Sequence, residues 1–180
     1  MIECQDVSFS YPASTLPESE RQAGGALKHI SCTIEDGSFV LLCGTSGCGK
    51  TTMTRLFNGL IPHYHEGTYT GSVYLDGKDT RDLSLFDISL KVGSVFQNPR
   101  SQFFNVDTTS ELAFGPENHG MPEDIVRDRV KRVAAQLKLE PLLDRSIFSL
   151  SGGEKQKIAC GSAAAINPDV YVLDEPSSNL

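Results

Sequence analysis

A glycine-rich stretch with one lysine and four hydroxyl side chains is the first part of this sequence that could do chemistry. It runs Gly44-Thr45-Ser46-Gly47-Cys48-Gly49-Lys50-Thr51-Thr52. The spacing of its glycines and lysine fits the phosphate-loop pattern, in which backbone N–H groups converge on phosphate oxygens. Lys50 is predicted to reach the β and γ phosphates, and the Thr51 hydroxyl to ligate Mg²⁺. The simpler alternative is a turn that only joins a strand to a helix.

The segments on either side of this loop predict how it is held. The apolar run from Ser38 to Cys43 has the length and composition of a buried strand. After the loop, Leu56, Phe57 and Leu60 predict the apolar face of a helix, which Asn58-Gly59 should end. The unpaired N–H groups at the start of that helix favour an anion in the loop.

Two carboxylates directly follow another apolar run, Val170 to Leu173. Burial of Asp174 and Glu175 at the tip of a strand is costly unless a cation lies nearby, and in a phosphate-loop protein that cation is Mg²⁺. Asp174 is predicted to hold the ion, and Glu175 to act as the general base for an attacking water. Gln97 follows the apolar run 92–96, and open α/β sheets bind ligands at such carboxyl ends of strands.

The segment Ser151-Gly152-Gly153-Glu154 has two interpretations. Ser151 and Glu154 form a capping box for a helix predicted to reach Ala165. That interpretation leaves the two glycines unexplained, since each weakens the first helical turn by about 1 kcal/mol relative to alanine. Bare backbone at a helix N-terminus indicates an approach by a phosphate group.

Other patterns outline the remaining elements. Alternating apolar residues in 7–11 and 30–34 predict an antiparallel ribbon, with an exposed polar loop over 12–25 between its strands. Residues 71–77 predict a strand closed by an Asp-Gly turn. Residues 122–138 predict a helix that buries Val126, Val130, Val133 and Leu137. Tyr11 either packs in the ribbon or stacks on a nucleotide base.

Composition limits the class of protein. The 180 residues carry a net charge of −7, which argues against a nucleic-acid partner. No run of 18 apolar residues predicts a membrane span, and the first residues lack the pattern of a signal peptide. The five cysteines are odd in number and have no CxxC spacing, so reduced thiols are expected.

These motifs together resemble the nucleotide-binding domain of ATP-binding cassette (ABC) transporters. The resemblance implies one ATPase domain over 1–180, with the α/β fold of a P-loop NTPase and a RecA-like core sheet. An N-terminal antiparallel β subdomain and the first part of the core should occupy 1–100, an inserted α-helical subdomain 101–150, and the signature helix with the Walker B strand 151–180. The fold is expected to be incomplete at its C-terminus, because the family's switch histidine and one core strand should lie beyond Leu180.

The resemblance also implies roles in ATP hydrolysis with Mg²⁺. Tyr11 corresponds to the aromatic that stacks on adenine, and Gln97 to a residue that contacts Mg²⁺ together with Thr51 and Asp174. The signature residues act in trans on a γ-phosphate held by a second ABC ATPase domain: Ser151, Gly152, Gly153 and Glu154. Glu154 stands where the family more often has glutamine, and its charge could weaken closure of the dimer by repulsion.

A narrower resemblance, carried by 97–104 and 111–118, is to the ATPases of energy-coupling factor importers of vitamins, cobalt and nickel. It implies a transmembrane coupling subunit, a substrate-binding membrane subunit, and a peripheral location on the cytoplasmic face of the membrane. Phe103 and Phe104 either pack inside the helical lobe or dock a helix of the membrane partner. The alternatives are another transporter type, a cassette ATPase acting on nucleic acid or ribosomes, and a phosphate-loop kinase. The acidic charge disfavours the second, and the signature disfavours the third.

Overall fold

The computed structural model describes residues 1–12 and 26–176, and it divides into two units, Met1–Ser89 and Leu90–Leu180. Most of the polar loop predicted over 12–25 therefore lies outside the described residues. Among the residues that are described, no helix is both long enough and apolar enough to cross a membrane.

The first unit is built on an antiparallel sheet of four strands, in the order β2-β1-β3-β4. The strands are β1 (Ile2–Ser10), β2 (Ala26–Ile34), β3 (Thr68–Leu75) and β4 (Lys78–Asp79). Antiparallel pairing of β1 with β2 confirms the predicted ribbon. The predicted Asp-Gly turn joins β3 to β4, with φ of 50° at Asp76 and 77° at Gly77 as a two-residue hairpin turn requires.

The described residues of the same unit include three helices: α1 (Lys50–Phe57), α2 (Leu60–His63) and α3 (Leu85–Ser89). Helix α1 opens directly from the glycine-rich loop and buries Leu56 and Phe57 as predicted, together with Met53. Leu60, predicted for the same apolar face, instead begins α2 and is half-buried. Helix α1 ends at Asn58, the predicted stop. A short 3-10 helix, Thr80–Asp82, lies between β4 and α3.

The predicted strand before the glycine-rich loop is wrong. Residues 38–43 have no regular secondary structure, and Phe39 and Leu41 are 92% and 74% exposed. A strand is stabilised by backbone hydrogen bonds to a neighbouring strand, and among the described residues neither sheet pairs with this segment. The composition of the run favours a strand, but composition alone supplies no ladder partner.

The second unit contains a parallel pair of strands, β5 (Val92–Val95) and β6 (Val170–Leu173). Val92 pairs with Val170 and Val95 with Leu173, so the carboxyl ends of both strands lie at one edge. Three helices accompany them: α4 (Thr108–Asn118), α5 (Glu123–Leu137) and α6 (Gly152–Ile166). The 3-10 helices are Pro99–Ser101, Glu140–Leu142 and Ile147–Ser149.

The core of the second unit forms where α4, α5 and α6 pack together. Its fully buried members include Leu112, Leu139 and Ile158. Helix α5 confirms the predicted helix over 122–138, with Pro122 as its N-cap and Lys138 as a left-handed C-cap. Three of the four predicted apolar positions are buried, but Leu137 is 41% exposed, although Ala134 and Leu139 on either side of it belong to the core cluster.

Candidate functional site

The glycine-rich loop ends at Gly49, which is the N-cap of α1 and has a φ of 101°. The positive φ favours glycine, and a β-carbon here would also lie 2.8 Å from Cδ2 of Leu27, whose side chain would have to shift. The Lys50 ammonium donates hydrogen bonds to the carbonyl oxygens of Gly44 (3.1 Å) and Thr45 (3.0 Å). The cation therefore lies against the same loop whose backbone N–H groups could bind phosphate.

The two threonines after Lys50 differ in their surroundings. Thr51 is half-buried, whereas Thr52 is only 7% exposed and packs inside the first unit. Ser46 and Cys48 are exposed in the turn. A hydroxyl at Thr51 supplies the kind of hard oxygen ligand that Mg²⁺ prefers.

Tyr11 is tied to the helix that follows the loop. Arg55 on α1 donates a hydrogen bond from Nη1 to the Tyr11 hydroxyl at 2.7 Å. The Tyr11 ring also packs edge-on against Phe9 and His65, with centroid distances of 4.9 and 6.0 Å. Burial, with a smaller contribution from the Arg55 charge, lowers the pKa of His65, so this imidazole is neutral at pH 7. The aromatic group is thus tied to the last turn of α1, the helix that the loop opens.

In the second unit, the parallel strands bring three predicted site residues to one edge. Gln97 follows β5, and its Nε2 donates to Oε2 of Glu175 at 2.8 Å. The backbone N–H of Asp174 donates to the carbonyl of Val95 at 2.9 Å, which continues the ladder beyond β6. Glu175 has a φ of 47°, an unusual value for a residue with a β-carbon and one that is common at functional sites.

Asp174 is suited to a cation. Its side chain belongs to a residue only 6% exposed, and it forms no ion pair with any other described residue. Burial of an ionised carboxylate without a positive partner is costly, and a bound Mg²⁺ would remove that cost. The residues present therefore fit the predicted metal.

Gln102 fastens the loop that carries Gln97. Its Oε1 accepts from the backbone N–H of Phe96, and its Nε2 donates to the carbonyl of Ser94, both at 3.1 Å. Sequence reasoning missed this residue, since a glutamine in a polar loop carries no spacing signal. The two bonds hold the start of the loop against the end of β5.

The capping box predicted at the start of α6 is confirmed. The Glu154 backbone N–H donates to Oγ of Ser151 at 3.3 Å, and Oε2 of Glu154 accepts from the Ser151 N–H at 2.8 Å. The other carboxylate oxygen accepts from Nη1 of Arg145 at 3.2 Å. The Ser151 N–H and hydroxyl, together with the Arg145 charge, hold the pKa of Glu154 below its ordinary value, so it is ionised at neutral pH.

Phe103 and Phe104 point in different directions. Phe103 is half-buried and packs against the core of the second unit. Phe104 is 74% exposed and stacks on Phe114, with ring centroids 4.8 Å apart. The buried carboxylate of Glu111 holds this loop, because its Oε2 accepts from the backbone N–H groups of Phe104 (3.0 Å) and Asn105 (2.9 Å).

Comparisons with known proteins agree with this geometry. The family model described as ABC transporter matches residues 27–178. A putative ABC transporter ATP-binding protein of Treponema denticola is 49% identical over 180 residues; the match covers 100% of this chain and 35% of the relative. The chain therefore spans about a third of the length of that relative.

Two solved structures share the fold. One is cbiO1 from Clostridium perfringens, described as part of the ABC transporter complex cbiONQ, with a TM-score of 0.78 and 28% identity over 99% of this chain and 66% of that one. The other is a dimeric post-hydrolysis state of an ATP-binding cassette bound to ADP and Pi. Its TM-score is 0.80 and its identity 26%, over 100% of this chain and 76% of that one.

Proposed function

The chain belongs to the ABC transporter family, and we propose that it binds and hydrolyses ATP to power a membrane importer. The observation that carries the proposal is the edge formed by β5 and β6, where Gln97 and Glu175 are hydrogen-bonded beside the buried Asp174. A base, a residue that orients it and a cation ligand are the groups that ATP hydrolysis needs there.

Phosphate binding is assigned to the glycine-rich loop. Its backbone N–H groups and the Lys50 ammonium donate to phosphate oxygens, and the N-terminus of α1 adds the positive end of its dipole. Tyr11 is assigned to the adenine, on which its ring stacks. Arg55 holds that ring through the hydroxyl hydrogen bond.

Hydrolysis is assigned to the edge where β5 and β6 end, which carries Gln97, Asp174 and Glu175. At this edge Gln97 and Asp174 supply oxygen ligands for Mg²⁺, which would neutralise charge on the phosphates. Glu175 accepts a proton from the attacking water, and the Gln97 amide keeps one carboxylate oxygen engaged so that the other can face that water. The exposed position of Glu175 leaves this oxygen open to solvent.

A second copy of such a cassette completes the site. Ser151, Gly152 and Gly153 lie at the N-terminus of α6, where the dipole and bare backbone favour a phosphate of the opposite cassette. A dimeric cassette structure with ADP and Pi supports this arrangement. ATP-driven closure of the dimer is then the motion that drives transport.

The assignment as an importer rests on the exposed ring of Phe104, which stacks on Phe114, and on the likeness to cbiO1. Phe104 presents an exposed aromatic face, which suits a helix of a membrane subunit. A coupling subunit and a substrate-binding subunit for vitamins, cobalt or nickel would place the protein on the cytoplasmic face of the membrane. Another ABC transporter type is the second candidate, since cbiO1 is 28% identical and the named relatives specify no cargo.

The test is Glu175→Gln in the full-length protein. Glutamine keeps the size and the hydrogen bond to Gln97 but cannot accept the proton, so turnover should fall by a factor on the order of 10² to 10⁴ while ATP binding persists. Glu140→Gln, at an exposed position, is the matched control and should turn over ATP at the parental rate. Parental turnover in Glu175→Gln would remove Glu175 as the base.

A further inference from the structure

Arg145 is held firmly next to the start of α6. Its backbone carbonyl accepts from the N–H of Thr108 at 3.0 Å, and its own N–H donates to the Thr108 hydroxyl at 3.3 Å. Thr108 is fully buried and begins α4. The neighbouring Ser146 forms a bridge with Asp107, so the backbone around Arg145 is fixed on both sides. The Arg145 guanidinium therefore contacts Glu154 from a segment whose backbone is held in place.

We propose that Arg145 is a positioning residue of the signature: it holds the Glu154 carboxylate in the α6 cap and offsets its charge where Ser151 meets a phosphate. This inference rests on the proposed function, in which the signature binds the γ-phosphate of a second cassette. It adds a residue outside the signature whose effect passes through Glu154.

The hydrogen bonds of the cap leave Ser151 ready to donate. Its Oγ accepts from the Glu154 N–H, and its own N–H donates to Glu154 Oε2. The cap uses the hydroxyl oxygen as an acceptor, so the hydroxyl proton, which otherwise favours the Glu154 carboxylate, can turn towards a phosphate oxygen. Phosphate oxygens are acceptors, so this orientation suits them. Arg145 fixes it by engaging the second carboxylate oxygen, Oε1, at 3.2 Å.

Charge is the second part of the effect. An ionised Glu154 beside a γ-phosphate is repelled by it, and the arginine supplies the opposite charge at hydrogen-bond distance. A glutamine at position 154 would still accept from the Ser151 N–H but would carry no charge. The requirement for Arg145 should therefore depend on whether residue 154 is glutamate or glutamine. A purely structural role for Arg145 would not show that dependence.

The experiment measures ATP-dependent dimerisation of the full-length protein by mass photometry over a range of ATP concentrations. Arg145→Gln leaves the Glu154 charge unpaired near a phosphate, and the repulsion should raise the half-maximal ATP concentration for dimerisation by about tenfold. Glu154→Gln added to Arg145→Gln should restore it to within about threefold of the parent. Arg145→Lys, which keeps the charge, should fall between the parent and Arg145→Gln.

Arg127→Gln is the matched control, since Arg127 pairs at 2.5 Å with Glu123 on the exposed face of α5. It should dimerise as the parent does. The proposal is overturned if the double variant is as weak as Arg145→Gln, or if Arg145→Gln behaves like Arg127→Gln. If the parent itself formed no ATP-dependent dimers, both the proposed function and this inference would be overturned. That result is seen in the unsubstituted protein, so it can be told apart from a failure of the Arg145 inference, which is seen only in the variants.

Discussion

Replacement of Glu111 by alanine should destabilise the second unit far more than its position in a surface helix suggests. The residue is 1% exposed, and its carboxylate accepts three hydrogen bonds: from the Phe104 N–H, the Asn105 N–H and the Asn105 side-chain amide at 3.2 Å. Alanine removes Oε2, the single oxygen that accepts all three bonds. It also leaves a space where the longer side chain was.

The size of the effect follows from those contacts. A hydrogen bond to a charged group contributes about 1.5–3 kcal/mol, and a buried donor left without a partner costs about 1–3 kcal/mol. The donors are only partly buried, so water can satisfy some of them after the substitution. We therefore expect Glu111→Ala to lower the free energy of unfolding by about 3–5 kcal/mol, and Glu111→Gln, which keeps one acceptor, by about 1–2 kcal/mol.

Urea denaturation followed by circular dichroism measures this difference, and amide hydrogen exchange at Phe104 and Asn105 locates it. Glu117→Ala is the control, because Glu117 lies on the same helix but is exposed. It should change the unfolding free energy by less than about 0.5 kcal/mol. A loss below about 1 kcal/mol for Glu111→Ala, or unchanged exchange at the two amides, would refute the role of the carboxylate.

Two further predictions concern the ligands. Lys50→Ala removes a charge-assisted contact of about 1.5–3 kcal/mol and should weaken binding of a fluorescent ATP analogue about 10- to 150-fold. The control Lys78→Ala, at an exposed position, should leave the affinity unchanged. Equal affinities of the two variants would contradict the assignment of Lys50. Phe104→Ala should reduce co-purification with the membrane subunit without changing ATP affinity. Phe103→Ala should mainly destabilise the core of the second unit. Full recovery of the complex with Phe104→Ala would contradict the docking proposal.

Local patterns in the sequence predicted much of the fold. The capping box of Ser151 and Glu154, the Asp76-Gly77 turn and the helix over 122–138 all depend on residues within one or two turns of each other. Each of these patterns has a direct physical cause in backbone angle or hydrogen bonding. The structure confirms all three.

Features that depend on distant partners could not be predicted in the same way. The run 38–43 has the composition of a strand, but a strand also needs a neighbour, and none of the described strands supplies one. Arg55 reaches Tyr11 across 44 positions, and no spacing rule connects them. Glu111 and Arg145 were missed because a charged residue in a helix or loop is usually a solvated one.

The most direct test of the central claim is the mass of full-length Glu175→Gln with and without ATP. If two cassettes enclose ATP between the glycine-rich loop of one and the signature of the other, blocked hydrolysis should trap the closed state. Mass photometry should then show a monomer without nucleotide and a dimer with ATP, and Ser151→Arg, which places a bulky side chain at the signature, should abolish the dimer. A protein that binds ATP tightly yet stays monomeric, or a dimer that Ser151→Arg leaves intact, would contradict the account.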